Sequence, residues 1–121
     1  SKVVILGLTF KDNCPDIRNS KVEDIIIRLK EFEINPIITD PWANEKDAAN
    51  EYSVTLSKIE DVTNADCVII AVAHNEFKEL GIEGVDKLFK ASANQEKILI
   101  DVKGILSREE VSALGYRYWR L

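Results

Sequence analysis

Two stretches, Val3–Leu8 and Cys67–Val72, are apolar throughout apart from Gly7. A strand with one wet face alternates apolar and polar residues. An unbroken apolar run instead requires cover on both faces, which crossover helices supply in parallel sheets. The intervening sequence offers such helices. Ser20-Lys21-Val22-Glu23 has the spacing of a capping box, and Val22, Ile25, Ile26, Leu29 and Phe32 fall on one helical face behind it. Asn35-Pro36 is expected to stop that helix, and Ile37-Ile38-Thr39 to form a second short strand running into Asp40-Pro41-Trp42. Residues 43–52 read as a short helix or loop, with a third short strand near Ser53–Thr55.

Ser57-Lys58-Ile59-Glu60 repeats the capping pattern before another short helix. Glu76 to Lys90 reads as helix interrupted at Gly81 and Gly84. Ile98-Leu99-Ile100 is a strand ending at Asp101, Ser107-Arg108-Glu109-Glu110 caps a last helix, and Tyr116–Trp119 closes the chain as a strand. The four aromatic residues Trp42, Tyr116, Tyr118 and Trp119 are expected to pack in the core. This order predicts an α/β fold: a doubly wound, mostly parallel, Rossmann-like sheet with helices on both faces, formed by residues 1–121 as one domain.

A chain of 121 residues can bury about two-thirds of its unfolded surface, enough for one real core. The formal net charge of −5 gives no electrostatic basis for binding nucleic acid or an anionic membrane. No apolar run approaches the roughly 20 residues of a membrane span, and neither a signal peptide nor a setting other than the cytoplasm is expected. Cys14 and Cys67 are too few and too unpatterned for a disulfide scaffold or a zinc site.

Ligands of open α/β sheets sit beyond the carboxyl ends of the strands. There the sequence places GLTFKDNCPDIRNSK, Gly7 to Lys21, with two cations, Lys11 and Arg18, between a buried strand and a helix. A dinucleotide loop would need G-x-G-x-x-G at this turn, and only Gly7 is present. Lys11, beside Phe10, suits a diphosphate, although spacing alone also allows an ordinary solvated lysine. Arg18 suits a phosphate near a helix start, or an ion pair with Asp12 or Asp16. Lys103, in Asp101-Val102-Lys103-Gly104, repeats the arrangement of a cation directly after an apolar strand; a solvated turn lysine is the alternative. Asp40 stands where a ribose-binding acid would, or caps the turn before Pro41. His74, the single histidine, reads as a loop hydrogen-bonder or a substrate-edge residue.

These three strand-end motifs together, Gly7–Lys21, Asp40-Pro41-Trp42 and Asp101-Val102-Lys103-Gly104, resemble the C-terminal, UDP-binding domain of the UDP-glucose/UDP-N-acetylhexosamine 6-dehydrogenase family. The likeness runs from near residue 3 to the end and is greatest to the branch acting on UDP-N-acetylhexosamines. It implies that Phe10 and Lys11 contact the UDP part of the substrate, that Arg18 reaches NAD, and that Lys103 holds the nucleotide end. Many family members carry arginine at the position of Lys103, so the bidentate fork is lost while the charge remains. The family's catalytic cysteine lies in a preceding domain. Cys14 has no base partner nearby in sequence, so no catalytic residue is assigned to this chain.

The implied parent is an NAD-dependent enzyme oxidising C6 of a UDP-sugar for polysaccharide precursor synthesis. Its partners are the substrate, an N-terminal NAD-binding domain of the same protein and further copies in a homo-oligomer, while this segment alone is expected to be inactive. Two other readings remain at this stage. A free-standing nucleotide-binding or interaction module would need a complete ligand loop of its own. A receiver-like signalling domain would need an acidic cluster after the first strand and an acid ending the third.

Overall fold

The computed structural model describes residues 2–9, 13, 22–52, 55–91 and 93–120. Their order is β1 (Val3–Leu6), α1 (Val22–Glu31), β2 (Ile37–Thr39), α2 (Glu45–Tyr52), β3 (Cys67–Ile70), α3 (Asn75–Asp86), β4 (Ile98–Asp101), α4 (Arg108–Ala113) and β5 (Arg117–Arg120). The strands lie in the order β2-β1-β3-β4-β5 and every pair is parallel. The expected α/β, doubly wound, Rossmann-like sheet is therefore the observed one, and among the described strands it is wholly parallel.

The apolar runs alternate inside the sheet in two senses. Val4, Leu6, Val68, Ile70 and Leu99 face a cluster with Phe77 and Val85 of α3 and Val111 of α4. Val3, Ile5 and Ile69 face the opposite cluster with Val22 and Ile26 of α1 and Ala48 and Tyr52 of α2. Each fully buried Ile or Leu contributes roughly 2 kcal/mol over an exposed one, so the two faces supply the main driving force. Parallel order puts all the strand ends on one edge. Chain direction reverses about β1: α1 leads outward to β2, whereas β3, β4 and β5 follow on the other side. The loops after β1 and β3 thus diverge at a topological switch point.

Several local expectations are corrected. Helix α1 ends at Glu31, before Asn35-Pro36, because the backbone closes a Schellman turn there. Ile34 N–H donates to the Leu29 carbonyl (2.9 Å) and Glu33 N–H to Lys30 (3.0 Å), with Glu33 at φ +60. The turn carries Phe32 away from the core, leaving it 67% exposed. Ser53 and Val54, in the expected third strand near Ser53–Thr55, lie outside the described residues, and just beyond it a single parallel bridge joins Leu56 to Ile38. Ser57 caps nothing. The following turn, Ile59–Asp61, is 3-10 and starts after Lys58 without a side-chain cap. Trp42 and Trp119 are 37% and 50% exposed, whereas Tyr116 is buried and Tyr118 packs at the core margin.

Other expectations hold. Ser107 caps α4, accepting from Glu110 N–H at 3.3 Å, and Gly81 breaks α3 with φ +60 and ψ −175. Gly84, where a second interruption was expected, instead stays helical. The capping box expected at Ser20 lies outside the described residues. Among the described residues, no helix is long and apolar enough to cross a membrane.

Candidate functional site

At the carboxyl edge of the sheet, β1 hands over to its loop through Gly7. The backbone there adopts φ +108, and a Cβ would sit 2.6 Å from Val72 Cβ, so only glycine fits against the segment leaving β3. Gly7 therefore answers a steric demand of the switch point and is not a remnant of a phosphate-binding turn.

Next to it lies a buried polar network centred on Asp40. Oδ2 accepts from Leu8 N–H (2.6 Å) and Thr9 N–H (3.0 Å), and lies 3.0 Å from His74 Nε2. Oδ1 accepts from Trp42 N–H (2.8 Å) and Ala43 N–H (3.2 Å). The turn-capping reading of Asp40 is thus correct, and a second duty across the sheet is added. Burial pushes its carboxyl upward, but the bonds from His74, Leu8 and Trp42 outweigh that cost and hold it below the ordinary carboxylate range. Both oxygens are occupied and the residue is buried, so Asp40 is not placed to take a ribose.

His74 has no exposed surface. Its Nδ1 accepts from Asn13 N–H at 2.7 Å, which makes Nε2 the protonated nitrogen, directed at Asp40 with the Thr9 hydroxyl 3.0 Å away. The ring packs between Trp42 and Phe77, with centroids at 6.1 and 5.4 Å. Of the two readings offered by the sequence, the loop hydrogen-bonder is the observed one, and complete burial removes the substrate-edge reading. Asn13 also closes a reciprocal pair with Asn75, accepting from its N–H (2.9 Å) and donating to its side-chain oxygen (3.3 Å). Thr9, Asn13 and Asn75 carried no signal in the sequence, since their partners lie 61 to 65 residues away.

The turn after β4 is built around a second aspartate. Asp101 accepts from Ile105 N–H (3.1 Å), Leu106 N–H (2.9 Å) and the Tyr118 hydroxyl (3.0 Å). Arg120 donates to that hydroxyl (3.1 Å) and to the carbonyls of Gly104 (3.3 Å) and Leu106 (2.7 Å). Gly104 turns the chain with φ +66. This frame leaves Lys103 exposed at the tip. Of the other expected site residues, Phe10, Lys11 and Arg18 lie outside the described residues, as does Cys14. Their neighbours Thr9 and Asn13 are both tied to His74. Leu6, Ile70 and Asp101 are in register across β1, β3 and β4. The loops carrying Lys11 and Lys103 consequently start from one edge, about 10 Å apart at the strand ends.

A cleft of about 470 Å³ opens beside the end of β2, with Leu56, Ile59, Phe77 and Leu80 in its wall. Glu45, Glu60 and Glu76 outnumber Lys58 around it, which disfavours an anionic ligand. No cluster of His, Cys, Asp or Glu that could hold a metal is found among the described residues. Nor do the described residues form a dinucleotide site: in sequence the loop after β1 lacks the further glycines, and Asp40 is engaged in structural bonds. Cys67 is partly buried, and burial, reinforced by the Asp66 charge, pushes its thiol up to about 11, so it is unreactive at neutral pH.

Comparison with known proteins gives the context for this edge. The family model described as "UDP-glucose/GDP-mannose dehydrogenase family, UDP binding domain" matches residues 4–108. UDP-N-acetyl-D-glucosamine 6-dehydrogenase of Pseudomonas aeruginosa is 43% identical over 110 residues, covering 91% of this chain and 25% of that protein. Protein CapL of Staphylococcus aureus is 34% identical over 119 residues, covering 98% of this chain and 27% of that protein. The crystal structure of NDP-N-acetyl-D-galactosaminuronic acid dehydrogenase from Methanosarcina mazei Go1 superposes with a TM-score of 0.83 at 25% identity, over 99% of this chain and 24% of that one. The chain spans about a quarter of the length of the relatives it matches. It belongs to the UDP-glucose/GDP-mannose dehydrogenase family, and corresponds to the C-terminal, UDP-binding domain of those enzymes.

Proposed function

We propose that residues 1–121 form one UDP-binding domain that supplies a wall of the substrate cleft in an NAD-dependent UDP-sugar 6-dehydrogenase. The observation that carries this reading is the family match over residues 4–108, laid on a sheet edge that presents Lys103 and anchors both ends of the Phe10–Lys11 segment. Lys11 and Lys103 would hold the diphosphate and the nucleotide end, with Phe10 against the UDP part. Both ammonium groups act as point charges, so they favour the anion without dictating a planar geometry.

In the parent reaction oxidation of the C6 hydroxyl to a carboxylate, with water added at the aldehyde stage, would need two hydride transfers, each to a fresh molecule of NAD. NAD is held mainly by an N-terminal domain of the same protein, with Arg18 reaching it from this side. No group on this chain is assigned to the chemistry, so the domain alone binds and does not oxidise. The names of two relatives, UDP-N-acetyl-D-glucosamine 6-dehydrogenase and UDP-N-acetyl-D-mannosamine dehydrogenase, favour a UDP-N-acetylhexosamine substrate; polysaccharide precursor synthesis and a cytoplasmic homo-oligomer are carried over from the family resemblance alone.

Amide NMR of the labelled chain, titrated with UDP and with AMP, tests the reading. Expected are shifts at Phe10, Lys11 and Lys103 with UDP and little with AMP, weakened about tenfold in Lys103→Ala and more in Lys11→Ala. Equal responses to UDP and AMP would favour a general nucleotide-binding module. No response to millimolar UDP at any of the three residues would overturn the assignment.

A further inference from the structure

We infer that His74 is a positioning residue for nucleotide binding: it ties Thr9 and Asn13, the described residues that flank Phe10–Lys11 in the sequence. The inference rests on the proposed function for its ligand, but its geometry is independent of it. A fully buried imidazole is costly unless both nitrogens are bonded, and a core position needing only volume would take a leucine or phenylalanine. Here both nitrogens are used, and their partners are not scattered. Nε2 faces Asp40 Oδ2, the same oxygen that receives Leu8 and Thr9 N–H, at the start of the loop. Nδ1 receives Asn13 N–H, on the far side of residues 10–12, which include the proposed UDP contacts Phe10 and Lys11.

One rigid ring thus bonds to residues on both sides of that segment. The Asn13–Asn75 pair strengthens the clasp from the side of α3. His74 is the N-cap residue of α3, yet its side chain makes no capping bond. Asn13 supplies the acceptor for the N–H of Asn75, the first helical residue.

Two substitutions separate the functions of the ring. The side-chain oxygen of asparagine overlies Nδ1, and the side-chain nitrogen of glutamine overlies Nε2. His74→Asn therefore retains an acceptor for Asn13 N–H, whereas His74→Gln retains the donor to Asp40 and loses that acceptor. Unfolding in urea, amide exchange at Asn13 and UDP affinity by calorimetry are measured on both and on the unmodified chain. Similar losses of stability are expected. His74→Asn should protect the Asn13 amide and bind UDP within about threefold of the unmodified chain, while His74→Gln should lose protection and bind roughly tenfold more weakly.

Equal affinity in His74→Gln and the unmodified chain, with the latter binding UDP, would remove the positioning role and leave the proposed function standing. Equal weakening in both variants would reduce His74 to a packing residue. An unmodified chain that ignores UDP would remove the proposed function and the positioning role with it. If either variant fails to fold, nitrogen NMR of His74 in the unmodified chain decides. The Nε2-protonated form, with an Asn13 amide that shifts on adding UDP, supports the inference, and a protonated Nδ1 or an unmoved Asn13 amide overturns it.

Discussion

Asp40 and Asp101 each end or follow a strand at the same sheet edge, and each places both carboxylate oxygens on backbone N–H groups. They differ in reach. Asp101 accepts from its own turn, at Ile105 and Leu106, and takes one further bond from Tyr118 on the adjacent strand. Asp40 divides its oxygens: Oδ1 closes its own turn, and Oδ2 crosses to the loop of β1 and to His74. A five-residue turn needs only a local staple. A long excursion between β1 and α1 has to be tied from outside, and the tie costs a buried histidine. Two identical side chains in like positions thus hold their loops by different means.

The largest test of that contrast is truncation. Asp40→Ala strands four N–H donors and the His74 ring, and is expected to destabilise the fold by about 4 kcal/mol; Asp101→Ala strands two N–H groups and a hydroxyl, and should cost about 2–3 kcal/mol. Urea unfolding of the two variants checks the ranking, and equal losses would dissolve it. The glycines sharpen the same comparison. Gly7→Ala meets Val72 at 2.6 Å as well as the positive φ and should cost about 3 kcal/mol, whereas Gly104→Ala approaches only the flexible Arg120 at 3.4 Å and should cost about 1 kcal/mol.

Acid separates the corners further. Because the folded Asp40 carboxyl lies below its unfolded value near 3.9, its contribution is complete above about pH 5 and is lost as pH falls through the folded value. Stability measured from pH 6 down to 2 should fall below about pH 4, less steeply in Asp40→Asn. The smallest effect is expected at Tyr118→Phe, which removes one hydroxyl between Asp101 and Arg120 and should cost about 1 kcal/mol by thermal unfolding.

Legibility in the sequence followed the same division between local and distant. The unbroken runs around Val4 and Val68 announced a covered parallel sheet, and Ser107 announced α4, because each signal sits within a few residues of its effect. The turn-capping half of Asp40 was legible for that reason. Its other half was not, since His74, Thr9 and Asn13 meet only after the strands have paired. Phe32 and Trp119 misled because apolar character does not say on which side of a turn or an edge strand a side chain emerges. Lys103 was readable as a cation after a strand, but the Tyr118–Arg120 frame that holds its turn was not.

The break at Gly81 gives the clasp a mechanical boundary. Residues 75–80 are anchored to the β1 loop through Asn13, while the end of α3 is pinned by Asp86, which holds Lys97 Nζ at 2.8 Å and the Tyr116 hydroxyl. A residue at φ +60 and ψ −175 carries no helical hydrogen-bond register across itself, and nothing lies within 4 Å of where its side chain would be. Gly81 therefore marks where the part of α3 tied to the β1 loop gives way to the part held by Lys97 and Tyr116.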